Sequence, residues 1–180
     1  MKSLRKTTPA AFFSTFVLCM AFWLLMTWSV DVQELIAGAI VSVAVSLFSA
    51  RFFIHENAFW FFNPAKFFVG LFYCLIIFPV ELVKANWDMA KRALSPKMKI
   101  NPGIVRVPVS LKSDYGQALL ADSITLTPGT ITMNVENTTA AVGDSAYFFI
   151  HWIDVTEQNR VKAGDIIKGT MEKWVRRIYK

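Results

Sequence analysis

The ionisable residue set most deeply against apolar sequence is Glu81, which ends a long hydrophobic run. A carboxylate inside a membrane is costly to keep charged, so such residues are candidates for an ion path. Lys84 follows three residues later, and on a helix that spacing brings two side chains together as an ion pair. We favour the ion pair and keep the ion path as the alternative.

The most distinctive stretch is 119–131, LLADSITLTPGTI, in which apolar residues give way to hydroxyls before a Pro-Gly pair stops the run. Asp122 lies in an apolar setting there, where a buried carboxylate would titrate and could relay protons. We prefer a structural role, in which this carboxylate binds backbone N–H groups near the turn. The predicted structural motif comprises Asp122, Thr125, Thr127, Pro128 and Gly129.

Motifs for catalysis or metal binding are absent from the sequence. It contains no glycine-rich phosphate loop, no nucleophile elbow and only two histidines. His151 and Asp154 are three apart on a predicted strand, so they point to opposite faces and are assigned structural roles. Cys19 and Cys74 lie inside apolar runs, which argues against a disulfide or a zinc site. We therefore expect no catalytic residues, no metal, no cofactor and no enzyme activity.

The composition indicates an integral membrane protein, because 54% of the residues are hydrophobic and they concentrate in the N-terminal half. The formal charge is +6, but the basic residues lie beside apolar segments, where they meet anionic lipid headgroups rather than nucleic acid. The predicted lipid-facing basic residues are Lys91, Arg92, Lys97 and Lys99.

The membrane region is predicted to be 1–83, with apolar segments 10–30, 35–54 and 67–83. The first two form a helical hairpin, whereas the third is interrupted by Pro79 and is short for a full span. Basic residues precede the first segment and follow the third, and an odd number of crossings cannot keep both groups in the cytoplasm. We favour two full spans, with the third segment inclined, partly inserted or packed on a partner; three crossings are the alternative.

Residues 84–99 are predicted to form an amphipathic surface helix and linker, followed by a cytoplasmic α+β domain over 100–180. This domain is expected to have the order β-α-β-β-α. The first strand is an edge strand at 104–109, and the helix begins at Ser113, although a strand over 123–127 is possible. Further elements are a strand at 130–135, a central strand at 147–155 and one helix covering the sheet at 167–178.

Three segments together carry a family resemblance: LADSITLTPGT at 120–130, PGIV at 102–105 and IHWIDV at 150–155. The chain resembles the MnhE/PhaE family, which supplies one small component of the Mrp-type multisubunit monovalent cation/proton antiporters. The resemblance implies a non-catalytic, multi-pass subunit of the inner or plasma membrane with a structural or assembly role and a cytoplasmic C-terminal domain. It also implies large complex I-like membrane subunits as partners, besides membrane lipids.

Two other functions remain open at this stage. One is the equivalent subunit of a membrane-bound hydrogenase-type pump, which couples redox chemistry to ion pumping. The other is a stand-alone membrane-anchored binding protein.

Overall fold

The computed structural model describes residues 9–53, 63–97, 100–137 and 146–179. The chain divides into two compact units, residues 1–64 and 65–180. Of the described residues, three helices are long and apolar enough to cross a membrane, namely Pro9–Thr27, Val32–Ser49 and Pro64–Ala93. Together with a small sheet, these helices confirm the predicted class of a helical membrane part joined to an α+β domain.

The first unit contains helices α1 (Pro9–Thr27) and α2 (Val32–Phe53), which pack against each other. Their buried residues are small, as in membrane helices that approach closely. Gly38 illustrates the closeness, because a Cβ there would lie 2.6 Å from Cδ1 of Trp23. The small buried side chains are Ala11, Ser14, Thr15, Ser42 and Ser46.

The second unit contains all but the first residue of a single long helix, Pro64–Ala93, here called the long helix. It consists of α3 (Pro64–Phe72), a π-helical turn (Tyr73–Ile77) and α4 (Phe78–Ala93). The apolar segment 67–83 and the surface helix at 84–99 are predicted from the sequence as separate segments. In the structure, residues 67–93 of these segments belong to one continuous helix.

A three-stranded antiparallel sheet follows, formed by β1 (Gly103–Val109), β2 (Thr130–Asn137) and β3 (Ala146–Trp152) in the order β1-β3-β2. The predicted edge position of β1 and central position of β3 are confirmed. Helix α5 (Asp114–Leu126) starts directly after Ser113, so the helix and not the alternative strand occupies 123–126.

The predicted single C-terminal helix over 167–178 is wrong. Two helices are present, α6 (Arg160–Lys168) and α7 (Met171–Ile178), separated by Gly169 with φ of 49°. Glycine ends helices in this way because it adopts a positive φ without steric cost. Both helices still turn apolar side chains inward, and the core contains Leu120, Ile124, Phe148, Ile150, Met171 and Val175.

Candidate functional site

The π-helical turn of the long helix directs Tyr73 toward the C-terminal domain. Pro79 has no N–H and so cannot donate to the carbonyl four residues earlier. In the preceding turn the N–H of Phe78 donates to the carbonyl of Tyr73, five residues back, so this turn is wider than a turn of α-helix. Tyr73 is only 1% exposed, and its hydroxyl donates to Oγ of Ser123 at 2.7 Å. This buried hydrogen bond joins the apolar part of the long helix to α5.

The carboxylate of Glu81 lies between the long helix and the junction of α6 with α7. Its Oε1 accepts hydrogen bonds from Oγ1 of Thr170 at 2.9 Å and from Nζ of Lys84 at 3.4 Å. The Glu81 side chain is 14% exposed, whereas that of Lys84 is 63% exposed. A Cβ on Gly169 would lie 3.2 Å from the Glu81 carboxylate, so the glycine also makes room for it. Glu81 therefore contacts the residue that directly follows the break between the two C-terminal helices.

Farther along the long helix, Arg92 binds two carboxylates. Its Nε donates to Asp88 at 2.8 Å, and its Nη1 donates to Asp154, just beyond the end of β3. The side chain is largely covered. Arg92 thus differs from the expectation that it faces lipid, because the C-terminal domain supplies a carboxylate for it. The structural role predicted for Asp154 stays a prediction, and its contact with Arg92 is compatible with that role.

The turn after α5 is held by threonine hydroxyls. Oγ1 of Thr127 and Oγ1 of Thr130 both donate to the carbonyl of Ile124, at 2.7 and 2.8 Å. Oγ1 of Thr125 accepts from the backbone N–H of Thr132 at 3.1 Å. The role expected of Asp122 is corrected here, since its side chain is exposed and none of the hydrogen bonds that fix this turn involves its carboxylate.

Gly129 brings the turn against the long helix. Its φ is 95°, and a Cβ there would lie 2.5 Å from Cε of Met89 and 3.1 Å from Cγ2 of Ile153. The carbonyl of Gly129 accepts from the N–H of Ile153 at 2.9 Å. A side chain at this position would therefore push the turn away from both neighbours.

A cleft of about 370 Å³ lies between the long helix and the turn. The cleft brings together residues that the sequence places in separate groups: Glu81, Lys84 and Arg92 from the helix, and Thr127, Pro128 and Gly129 from the motif. Its charged side chains can hold water, but no nucleophile and base are paired among the described residues that line it. No three His, Cys, Asp or Glu residues in the described part of the chain are grouped to hold a metal ion.

An ion pair inside the C-terminal domain was not predicted. Lys168 Nζ lies 2.7 Å from Oε2 of Glu172 and donates to the carbonyl of Pro108, also at 2.7 Å. The other carboxylate oxygen, Oε1, accepts from the N–H and Oγ of Ser110. Burial raises the pKa of Glu172, but the hydrogen bonds from Lys168 and Ser110 and the ammonium charge outweigh it, so the net pKa is lowered. The spacing of four residues was visible in the sequence; the burial was not.

The remaining predicted basic residues lie near the C-terminal end of the long helix. Lys91 is exposed, with Nζ 5.5 Å from the ring centroid of Trp87, and Lys97 is exposed beyond the helix. Lys99 lies outside the described residues. Cys19 and Cys74 are both free thiols.

The chain is similar to known membrane transport proteins over nearly its whole length. The model of the MNHE family, described as a Na+/H+ ion antiporter subunit, matches residues 16–178. A Staphylococcus aureus protein, named as the E1 component of a Na+/H+ antiporter, is 32% identical over 162 residues, which cover 87% of this chain and 90% of that protein. The chain belongs to the MNHE family of Na+/H+ antiporter subunits. This confirms the resemblance carried by the motif at 120–130.

Two further proteins are similar to this MNHE family member. The E component of a Na+/H+ antiporter from Alkalihalophilus pseudofirmus is 46% identical over 85 residues, which are 47% of this chain and 50% of that protein. A chain of the membrane-bound sulfane sulfur reductase, an archaeal respiratory membrane complex, is 36% identical with a TM-score of 0.75. That similarity covers 94% of this chain and 99% of the other chain.

Proposed function

We propose that this chain is a non-catalytic membrane subunit of a multisubunit Na+ (monovalent cation)/H+ antiporter, with a structural and assembly role. The observation that carries this is the family match over 16–178, which includes both the apolar helices and the C-terminal domain. The relative from Staphylococcus aureus, similar over nearly its whole length, is named as an antiporter subunit. The likeness therefore extends over most of that relative and over both parts of this chain.

The structure supports an assembly role through its exposed apolar surface. Helices α1 and α2 bury mostly small residues against each other and leave large side chains exposed, such as Phe22 at 64% and Phe48 at 73%. Such surfaces need lipid or other membrane subunits around them. Large complex I-like subunits are the partners we propose, in the cell membrane, with the C-terminal domain in the cytoplasm and Lys91 and Lys97 close to lipid headgroups.

For Glu81 we propose a structural role in joining the long helix to the domain. Its carboxylate is bound by Lys84 and Thr170, which leaves it engaged with protein groups on both sides. An ion path through Glu81 is the alternative, since the carboxylate lines the cleft beside the charged Asp88. A charge-removing substitution separates the two roles, as argued below.

A second candidate function is the equivalent subunit of a redox-driven pump. The observation that favours it is the similarity over 94% of this chain to a subunit of an archaeal respiratory membrane complex. A small structural subunit fits both kinds of complex.

The test removes this chain from its native host and measures cation/proton antiport in inverted membrane vesicles. A proton gradient is set up by respiration, and its collapse on adding Na+ is followed with a pH-sensitive dye. We expect deletion to abolish the Na+-induced collapse and the intact chain to restore it, with the size of the initial gradient as the control. Unchanged antiport contradicts the proposal, and loss of donor-driven ion pumping alone would instead favour the redox-linked complex.

A further inference from the structure

The C-terminal domain covers one face of the long helix over most of its length. The rings of Phe72 and Trp174 lie 5.1 Å apart between centroids, and Thr170 binds Glu81 farther along. Arg92, which binds Asp154, marks the other end of the covered face. Residues 72 to 92 span about 30 Å of helix at about 1.5 Å per residue. The domain therefore lies alongside the helix and not beyond its end.

The part of the domain nearest the apolar end of the helix is charged. The guanidinium of Arg177 lies 4.6 Å from the ring centroid of Trp174, the residue that touches Phe72. Lys173 and Arg176 of the same helix, α7, are exposed. Charged side chains are costly in the hydrocarbon core, so helix α7 belongs at the level of headgroups or water.

This placement leaves too little helix for a crossing. If the long helix stood upright in the membrane, only residues 64–71 would extend past α7. Those eight residues reach about 12 Å, whereas the hydrocarbon core is about 30 Å thick.

The opposite face of the long helix is apolar and exposed. Residues spaced three, four or seven apart form an apolar stripe along it. The stripe continues past Glu81 into the part of the helix that carries charges. Its members are Ile76, Val80, Val83, Trp87 and Leu94, exposed by 49%, 48%, 67%, 65% and 85%.

Basic side chains border this stripe. Lys84 is 63% exposed, and Lys91 places its ammonium group over the ring of Trp87. An apolar stripe bordered by lysines is typical of helices that lie at the surface of an anionic membrane. The polar face of the same helix is already occupied, because Glu81 and Arg92 bind the domain.

We propose that the long helix does not cross the membrane but lies in the plane of the cytoplasmic leaflet, with the apolar stripe among the lipids and the domain on the water side. The occupant of the stripe is thus the anionic bilayer surface. The proposal rests on the proposed function only in placing the chain at a membrane. It leaves α1 and α2 as the two crossings, which keeps both basic ends of the membrane region in the cytoplasm.

The test uses single-cysteine variants of the full chain in its native complex, in a background carrying Cys19→Ser and Cys74→Ser. Asn63→Cys and Ser95→Cys mark the two ends of the long helix, and Asp31→Cys marks the hairpin tip as a sidedness reference. Inverted and right-side-out vesicles are treated with a membrane-impermeant maleimide. We expect both end variants to react only from the cytoplasmic side. Reaction of Asn63→Cys from the outer side, or from neither side, overturns the proposal.

A depth measurement decides what covers the stripe. A nitroxide on Val83→Cys is expected to meet oxygen dissolved in lipid more readily than a water-soluble nickel chelate. The matched Asp165→Cys label, on an exposed position of α6, is expected to show the reverse. A Val83→Cys label shielded from both reagents would indicate a protein partner and overturn the proposal. Because neither experiment measures transport, failure of the proposed helix placement is distinguishable from failure of the antiporter assignment.

Discussion

Two carboxylates contact residues on either side of the break at Gly169. Glu81, from the long helix, binds Thr170 after the glycine, and Glu172 binds Lys168 before it. The first contact cannot be read from the sequence, because Glu81 and Thr170 are 89 positions apart. For the second contact the spacing of four residues is visible, but nothing local marks Lys168 as buried. What the sequence does show is that Glu81 stands out, because it is a charged residue at the end of an apolar run.

Glu81→Gln separates the structural role from an ion path. Glutamine keeps an oxygen that can accept the hydrogen bond from Thr170 but has no charge, so we expect normal assembly and normal antiport. Glu81→Ala removes the acceptor too and is expected to lower the free energy of unfolding by about 1 kcal/mol. Thermal unfolding and vesicle antiport are measured on both variants. Lost antiport in an intact Glu81→Gln complex would assign the residue to an ion path.

Glu172→Gln tests the ion pair with the buried Lys168 and its dependence on pH. Removing the charged partner of Lys168 costs about 1–3 kcal/mol, so a lower Tm at pH 7 is expected. The folded-state pKa is lowered, so the carboxylate stabilises the fold above its unfolded pKa of about 4.3. This contribution is lost as the pH falls through the folded-state pKa.

The Tm difference between Glu172→Gln and the parent chain should therefore shrink at acid pH when unfolding is followed by circular dichroism. Asp165→Asn, an exposed carboxylate on α6, serves as the control. A difference that stays constant down to about pH 3, below the unfolded-state pKa, would contradict the assigned role of the carboxylate.

At the scale of elements, local signals predicted most of the domain. Ser113 and Pro128 bracket α5, and the residues of β3, apolar on both faces, identified the central strand. The division of the C-terminal helix was missed because apolar residues at helical spacing continue through Gly169, and each lies on an inward face of one helix or the other. The docking of the turn on the long helix was also missed, because it depends on contacts distant in sequence.

Gly129→Ala tests that docking. The positive φ and the contact with Met89 should together lower the free energy of unfolding by about 1–3 kcal/mol. Gly70→Ala is the matched control, since a Cβ there meets nothing within 4 Å, and it should be neutral or slightly stabilising. The double variant Pro128→Ala with Gly129→Ala is expected to lose the folded domain. Normal protein levels with lost transport in the double variant would contradict a purely structural role for the turn.

On the scale of the whole molecule, membrane character follows directly from composition, whereas membrane topology does not. Hydropathy identifies Pro64–Ala93 as long and apolar enough to span a membrane. The packing of the domain along that same helix argues for a different placement. A sequence pattern indicates which residues avoid water. It does not indicate whether lipid, a partner subunit or the chain's own domain covers them.

The most direct test of the antiporter assignment is the native mass of the tagged chain in mild detergent, with co-purifying chains identified by mass spectrometry. We predict a large assembly that contains complex I-like antiporter subunits. Iron–sulfur or hydrogenase-type chains in that assembly would move the assignment to the redox-linked complex. A single folded species near 20.4 kDa, with no other chains, would contradict the account.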